Sequence, residues 1–175
     1  DRGHYDTPFT LTITTATPDA EIYYTIDGTA PSPSNGTLYS NSTPLNIATT
    51  TILRAAAFKA NFLPTNIDTQ SYLFLNDVVT QPNNPPNTTT TWAGKIADYE
   101  MDPDIVTDPA YSDEIIPALK KFSSLSLTIA PDDFYGPQGL YQNPQSSGPT
   151  WERPVSAELI AHDGSETGFQ IDAGL

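Results

Sequence analysis

The sequence predicts an all-β protein: a small antiparallel β-sandwich followed by a smaller β-rich unit that carries one short helix. Three observations predict it. Seventeen prolines and ten glycines in 175 residues interrupt the chain too often for long helices. Thr, Tyr, Ile and Val supply strand formers between the interruptions. Apolar and polar residues alternate with period two over short runs that end in turn residues.

The first unit spans residues 1–75. Phe9, Leu11 and Ile13 share one face of a strand, with Thr10, Thr12 and Thr14 on the other. From Glu21 to Ile26, residues Ile22, Tyr24 and Ile26 point one way and Glu21, Tyr23 and Thr25 the other, and Asp27-Gly28 closes the run with a turn. Short strands are expected at Leu38-Tyr39 and Leu45-Ile47, a longer one from Thr51 to Ala60, and a last one from Gln70 to Leu75. Tyr24, Ile26, Leu53 or Ile52, Phe58 and Tyr72 are the expected core. A unit this small buries only about 60% of its unfolded surface, so each of them counts.

Residues 76–97 read as a linker. Gln81 to Thr91 holds three prolines, three asparagines and four consecutive threonines, a composition that cannot bury a core. Residues 98–175 form the second unit. An acidic run from Asp98 to Glu114 precedes the expected helix, Ile115 to Phe122, which has Asp113 near its start and Lys120 and Lys121 at its end. Strands are then expected at Ser124–Ala130, Gly139–Tyr141, Pro154–Ala161 and Gly168–Leu175, with His162-Asp163-Gly164-Ser165 as a hairpin loop.

The net charge of −14 is uneven: residues 1–75 hold six acids and three bases (−3), residues 76–175 fifteen and four (−11). Such a surface repels nucleic acid and anionic lipid, so neither is an expected partner. No apolar run has membrane-spanning length. With no cysteine, disulfides and thiolate metal sites are excluded. The chain starts at Asp1 and stops at Gly174-Leu175 inside an apparent strand, so it reads as a piece of something longer. The open edge of that strand is expected to pair with another element or to drive self-association.

Chemistry-bearing candidates are few. His4 and His162 are the two histidines and read as solvated loop residues, so no catalytic residue is assigned. Asp98, Glu100, Asp102 and Asp104 alternate as an oxygen-rich cluster of the kind that coordinates Ca²⁺, the one cofactor considered. The EF-hand pattern fails there, because Pro103 and Pro109 occupy the places of the turn glycine and the terminal glutamate. Tyr23, Trp92 and Trp151 are the aromatic candidates for stacking on a polysaccharide.

Two resemblances bear on function. Ala20-Glu21-Ile22-Tyr23-Tyr24-Thr25-Ile26-Asp27-Gly28, with Leu53-Arg54-Ala55-Ala56-Ala57-Phe58, resembles the chitobiase/β-hexosaminidase C-terminal type of domain. This implies an immunoglobulin-like, fibronectin-III-associated sandwich with a spacer or accessory role. Asp98-Tyr99-Glu100-Met101-Asp102-Pro103, Trp151-Glu152-Arg153-Pro154-Val155 and Gly168-Phe169-Gln170-Ile171-Asp172-Ala173-Gly174-Leu175 resemble the opening portion of CotH-kinase family proteins. That family's nucleotide- and metal-handling residues lie downstream of this portion, so no kinase residue is carried over. The expected function is a non-catalytic structural or accessory module of a secreted or cell-surface bacterial protein, with neighbouring domains as partners. The alternatives are a carbohydrate-binding module and a truncated remnant of a CotH-like kinase.

Overall fold

Within the computed structural model, every residue is described except Asn87, Ala93 and 163–167, and Trp92 is described by its backbone alone. The first seven strands are β1 (Gly3–His4), β2 (Phe9–Leu11), β3 (Glu21–Thr25), β4 (Thr37–Leu38), β5 (Leu45–Ile47), β6 (Thr51–Phe58) and β7 (Asp68–Leu73). Helix α1 (Leu75–Val79) and the small hairpin β8 (Thr91–Trp92) and β9 (Lys95–Ile96) follow. The remainder is α2 (Pro103–Val106), α3 (Ser112–Leu119), β10 (Ser124–Ile129), α4 (Pro131–Tyr135), β11 (Pro154–Ile160) and β12 (Phe169–Gly174). The protein is mainly β, as its composition requires.

Strands β1-β7-β6-β3-β4 form a five-stranded sheet, and β2-β5 form a two-stranded layer. The large sheet is mixed rather than purely antiparallel, because β1 runs parallel to β7. β1 and β7 are far apart in sequence, so no hairpin fixes their relative direction. Between the two layers lies the core: Ile47, Leu53, Tyr72 and Phe74 are buried, with Tyr5, Phe9, Leu11, Ile13, Tyr24 and Leu45 packed against them. Tyr5 stacks on Phe9 at 4.3 Å between ring centroids, and Tyr72 meets Phe9 edge-on at 5.3 Å. Each fully buried side chain of this size contributes roughly 1.5–3 kcal/mol. All ten residues fall within 1–75.

The expected core needs two corrections. Ile26 is 63% exposed, because β3 ends at Thr25 and the turn begins one residue sooner than the alternation runs. Phe58 is half-buried on the opposite face, edge-on to Tyr23 at 5.8 Å. β6 is central in its sheet, and Leu53 to Ala57 are buried on both faces.

The turn after β3 is tightly specified. Gly28 has φ +82°, and a Cβ placed there would come within 3.0 Å of the Ile129 carbonyl at the end of β10. Gly28→Ala is therefore expected to lower stability by about 1–2 kcal/mol from the left-handed backbone alone. Urea denaturation monitored by tyrosine and tryptophan fluorescence measures it, and an unchanged midpoint would contradict the close approach.

In the second unit, β10-β11-β12 make a three-stranded antiparallel sheet with Leu125 opposite Leu159, and Leu159 opposite Phe169. The single expected helix becomes four short ones among the described residues. α3 begins at Ser112, three residues before the expected start, and contains Pro117. α2 arises inside the acidic run, where Asp102 accepts from Asp104 N at 2.9 Å as N-cap and Pro103 takes the first helical turn. Gly139 to Tyr141 is a turn and not a strand: Leu140 N and Tyr141 N donate to Asp133 O and Phe134 O, folding the segment back on α4. In the stretch expected to be a linker, Ala97 is fully buried. The expected hairpin loop after His162 lies outside the described residues.

Candidate functional site

The three-stranded sheet packs on the second face of the five-stranded sheet at β7, giving a third β layer there. Pairing places Ile52, Arg54, Thr69 and Ser71 on this face of the large sheet, with Arg2 and His4 at its edge. Opposite them stand Ser124, Ser126, Ser156, Glu158 and Asp172, the polar positions of β10, β11 and β12. Serine and threonine side chains are short, so the Cα atoms of β7 and β11 come within 8 Å, closer than the ~10 Å usual for stacked sheets.

Glu158 lies at the centre of this layer and is completely buried. Its carboxylate accepts from Arg2 Nε at 2.9 Å, from the Ser71 backbone N at 3.1 Å and from Ser71 Oγ at 2.5 Å. Ser71 Oγ also lies 2.8 Å from Ser126 Oγ. A buried carboxylate is tolerated only when paired and hydrogen-bonded, and here three donors meet it. Arg2 is held in turn by its own backbone N donating to Gln70 Oε1 at 2.7 Å. Arg54, also buried, donates to the Gly28 carbonyl at 2.9 Å. Burial pulls the Arg54 guanidinium below its ordinary pKa, and nearby Asp172 partly restores it.

His4 belongs to the same layer, which corrects its reading as a solvated residue: its Nε2 lies 3.0 Å from Ser124 Oγ. The pair does not make a nucleophilic triad. Asp6, the nearby carboxylate, accepts from Lys120 Nζ through both oxygens at 2.7 and 2.8 Å, so it orients the lysine instead of the imidazole. Burial first, and Lys120 second, lower the His4 pKa, with Asp6 opposing. A histidine with a lowered folded pKa binds fewer protons folded than unfolded, so stability rises with pH through this window. The contribution is present above the unfolded value near 6.5 and is lost as pH falls towards the folded value. The melting temperature of His4→Gln is expected to fall less steeply between about pH 7 and pH 5 than that of the parent. Parallel profiles would remove His4 from the linkage.

The candidates expected from sequence are scattered. Asp98, Glu100 and Asp104 are exposed, and Asp102 is engaged in capping α2. Among the described residues no three His, Asp or Glu side chains gather around a common ion position. Tyr23 is half-exposed on β3, with its hydroxyl donating to Glu21 Oε2 at 3.2 Å. Trp151 lies just before β11 with the Arg153 guanidinium over its ring at 5.5 Å. Arg153 also donates to the carbonyls of Gln138, Thr150 and Glu152, so that tryptophan is part of a braced loop. Trp92 sits in β8, and its side chain lies outside the described residues. No helix among the described residues is long and apolar enough to cross a membrane.

Residues missed in the sequence are Glu158, Arg2 and Ser71. The available signal was a lone carboxylate in the middle of the Val-Ser-Ala-Glu-Leu-Ile run of β11.

Comparison with known proteins adds one finding. The family model of the chitobiase/beta-hexosaminidase C-terminal domain matches residues 1–69. That family is an accessory, non-catalytic module named after glycoside hydrolases, and the matched segment is the one that builds the seven-strand sandwich up to the start of β7. No match supports the expected resemblance of the second unit to CotH-kinase proteins. No curated protein and no solved structure matches the chain.

Proposed function

We propose that the chain is a non-catalytic structural module of a secreted or cell-surface bacterial protein that handles polysaccharide. Residues 1–75 serve as a platform that holds the following unit in a fixed orientation. The observation that carries this reading is the Glu158 clasp: β11 of the second sheet is fixed against β7 of the first unit through a buried, fully paired carboxylate. A flexible tether would not bury a charge between the units. Measurement of ¹⁵N relaxation across the chain tests it. One rotational correlation time for residues 1–75 and 124–175 is expected, and two independent times would sink the platform.

A carbohydrate-binding role is the second reading, favoured by Tyr23, whose half-exposed ring stands beside Phe58. Affinity electrophoresis through gels containing soluble polysaccharides separates the two. A spacer migrates unchanged, whereas retardation abolished by Tyr23→Ala would establish binding. Titration with ATP addresses the kinase-remnant reading, for which saturable binding would be the supporting result.

A further inference from the structure

The second sheet is turned inside out relative to an ordinary half-buried sheet. Its polar positions face the large sheet, while Leu125, Leu127, Ile129, Val155, Ala157, Leu159, Phe169, Ile171 and Ala173 lie on the outer face. Leu125, Leu127, Phe169, Ile171 and the adjoining Leu175 are between 43% and 61% exposed. Together they present on the order of 500 Å² of apolar surface, at the upper end for the largest patch on a monomer.

We infer that this outer face is the interface of a two-fold symmetric dimer of the chain. Its relief is self-complementary. At one end the row Leu125, Leu159, Phe169 stands out as large side chains. At the other end, four residues and ~13 Å further along the strands, a groove of about 310 Å³ opens. Its walls include Ile129, Val155, Phe134, Leu140 and Leu175. Between them the middle row is Leu127, Ala157, Ile171, a dip flanked by two larger residues. A two-fold axis through Ala157 carries the protruding end of one copy over the groove of the other and returns the same contact, as an isologous interface requires. The groove walls add little, because Val155 is buried and Leu140 half-buried, so the face falls short of the about 800 Å² per partner of a standard interface and has the size of a weak, transient one.

Charge argues against an anionic lipid surface as the occupant. The chain carries −14, which anionic lipid repels. None of the nine outer positions bears a charge, and Glu158 and Asp172 point to the other side of the sheet, so the repulsion between two copies is not focused at the contact. The open edge of β12 would lie at the rim of the dimer, and it is the face, not the edge, that carries the contact.

Sedimentation velocity of the 175-residue chain from about 200 µM down to about 1 µM tests the inference, since an interface of this size dissociates in that range. A dimer that dissociates on dilution is expected. Ile171→Glu and Leu127→Glu should each weaken it at least about tenfold with the far-ultraviolet circular dichroism unchanged. Leu125→Ser provides a milder change at the protruding end if either glutamate variant misfolds. A monomer throughout the series, a dimer indifferent to these substitutions, or open-ended growth with concentration would each overturn the inference.

Discussion

Glu158→Ala is expected to destabilise the protein by about 3–5 kcal/mol, because it removes one partner of a buried charge pair and leaves the other uncompensated. Arg2 Nε, Ser71 N and Ser71 Oγ would lose their acceptor in a layer with no exposure to water at Glu158 or Ser71. For a chain of this length such a loss corresponds to a fall of roughly 6–20 °C in melting temperature. Glu158→Gln keeps the shape and one carbonyl acceptor, so it should cost less than alanine and more than a surface substitution. Arg2→Ala should approach the alanine effect at 158, and the double variant should lose less than the sum, since the two share one interaction. Guanidinium denaturation of the four proteins supplies the cycle. A near-neutral Glu158→Ala would mean that the two sheets are not held together at this point.

Tyr72→Ala is expected to cost about 3–5 kcal/mol through the loss of a large ring from a packed core. Tyr72 is 1% exposed and contacts both Tyr5 and Phe9. Burial also pushes its phenol pKa well up, so the side chain stays neutral throughout the working range. Tyr24→Ala, on the same face but only partly buried, should cost less. Tyr23→Ala and Ile26→Ala should cost least, the one being half-exposed on the other face and the other mainly in solvent. Differential scanning calorimetry on the four variants gives the ranking. Equal losses at positions 23 and 24 would show that β3 presents its faces the other way round.

The first unit was legible because its period-two pattern and its turns agree. Phe9, Leu11 and Tyr24 fall on the core face that alternation assigns them, and Gly28 takes the positive φ that an Asp-Gly turn needs. Ile26 misled because alternation continues one residue past the strand. The second unit was harder for a different reason. Alternation identifies two faces of β10 and β11 but does not say which one is covered. In an ordinary antiparallel sheet the apolar face is packed and the polar one solvated. Here Ser71, Ser126, Ser156 and Glu158 are the packed residues, and the leucines of β10 are exposed. Only the distant partner, β7, reveals this, and no local pattern contains it. α2 was missed although its capping aspartate and first-turn proline stood in the run read as a cation cluster. The same residues serve both patterns on paper, and in the fold Asp102 accepts from the backbone N–H of Asp104.

Hydrogen exchange, followed residue by residue, tests the claim that the first unit and the one packed on it behave as one body. Thr69 to Tyr72 and Val155 to Ile160 are expected to exchange with the same free energy of opening, equal to that of global unfolding, with the Ser71 amide among the slowest. Glu158→Ala should lower the protection of both strands together. Fast exchange across Val155 to Ile160 while Thr69 to Tyr72 stays protected would contradict the account, because it would leave the second unit tethered to the first and not held by it.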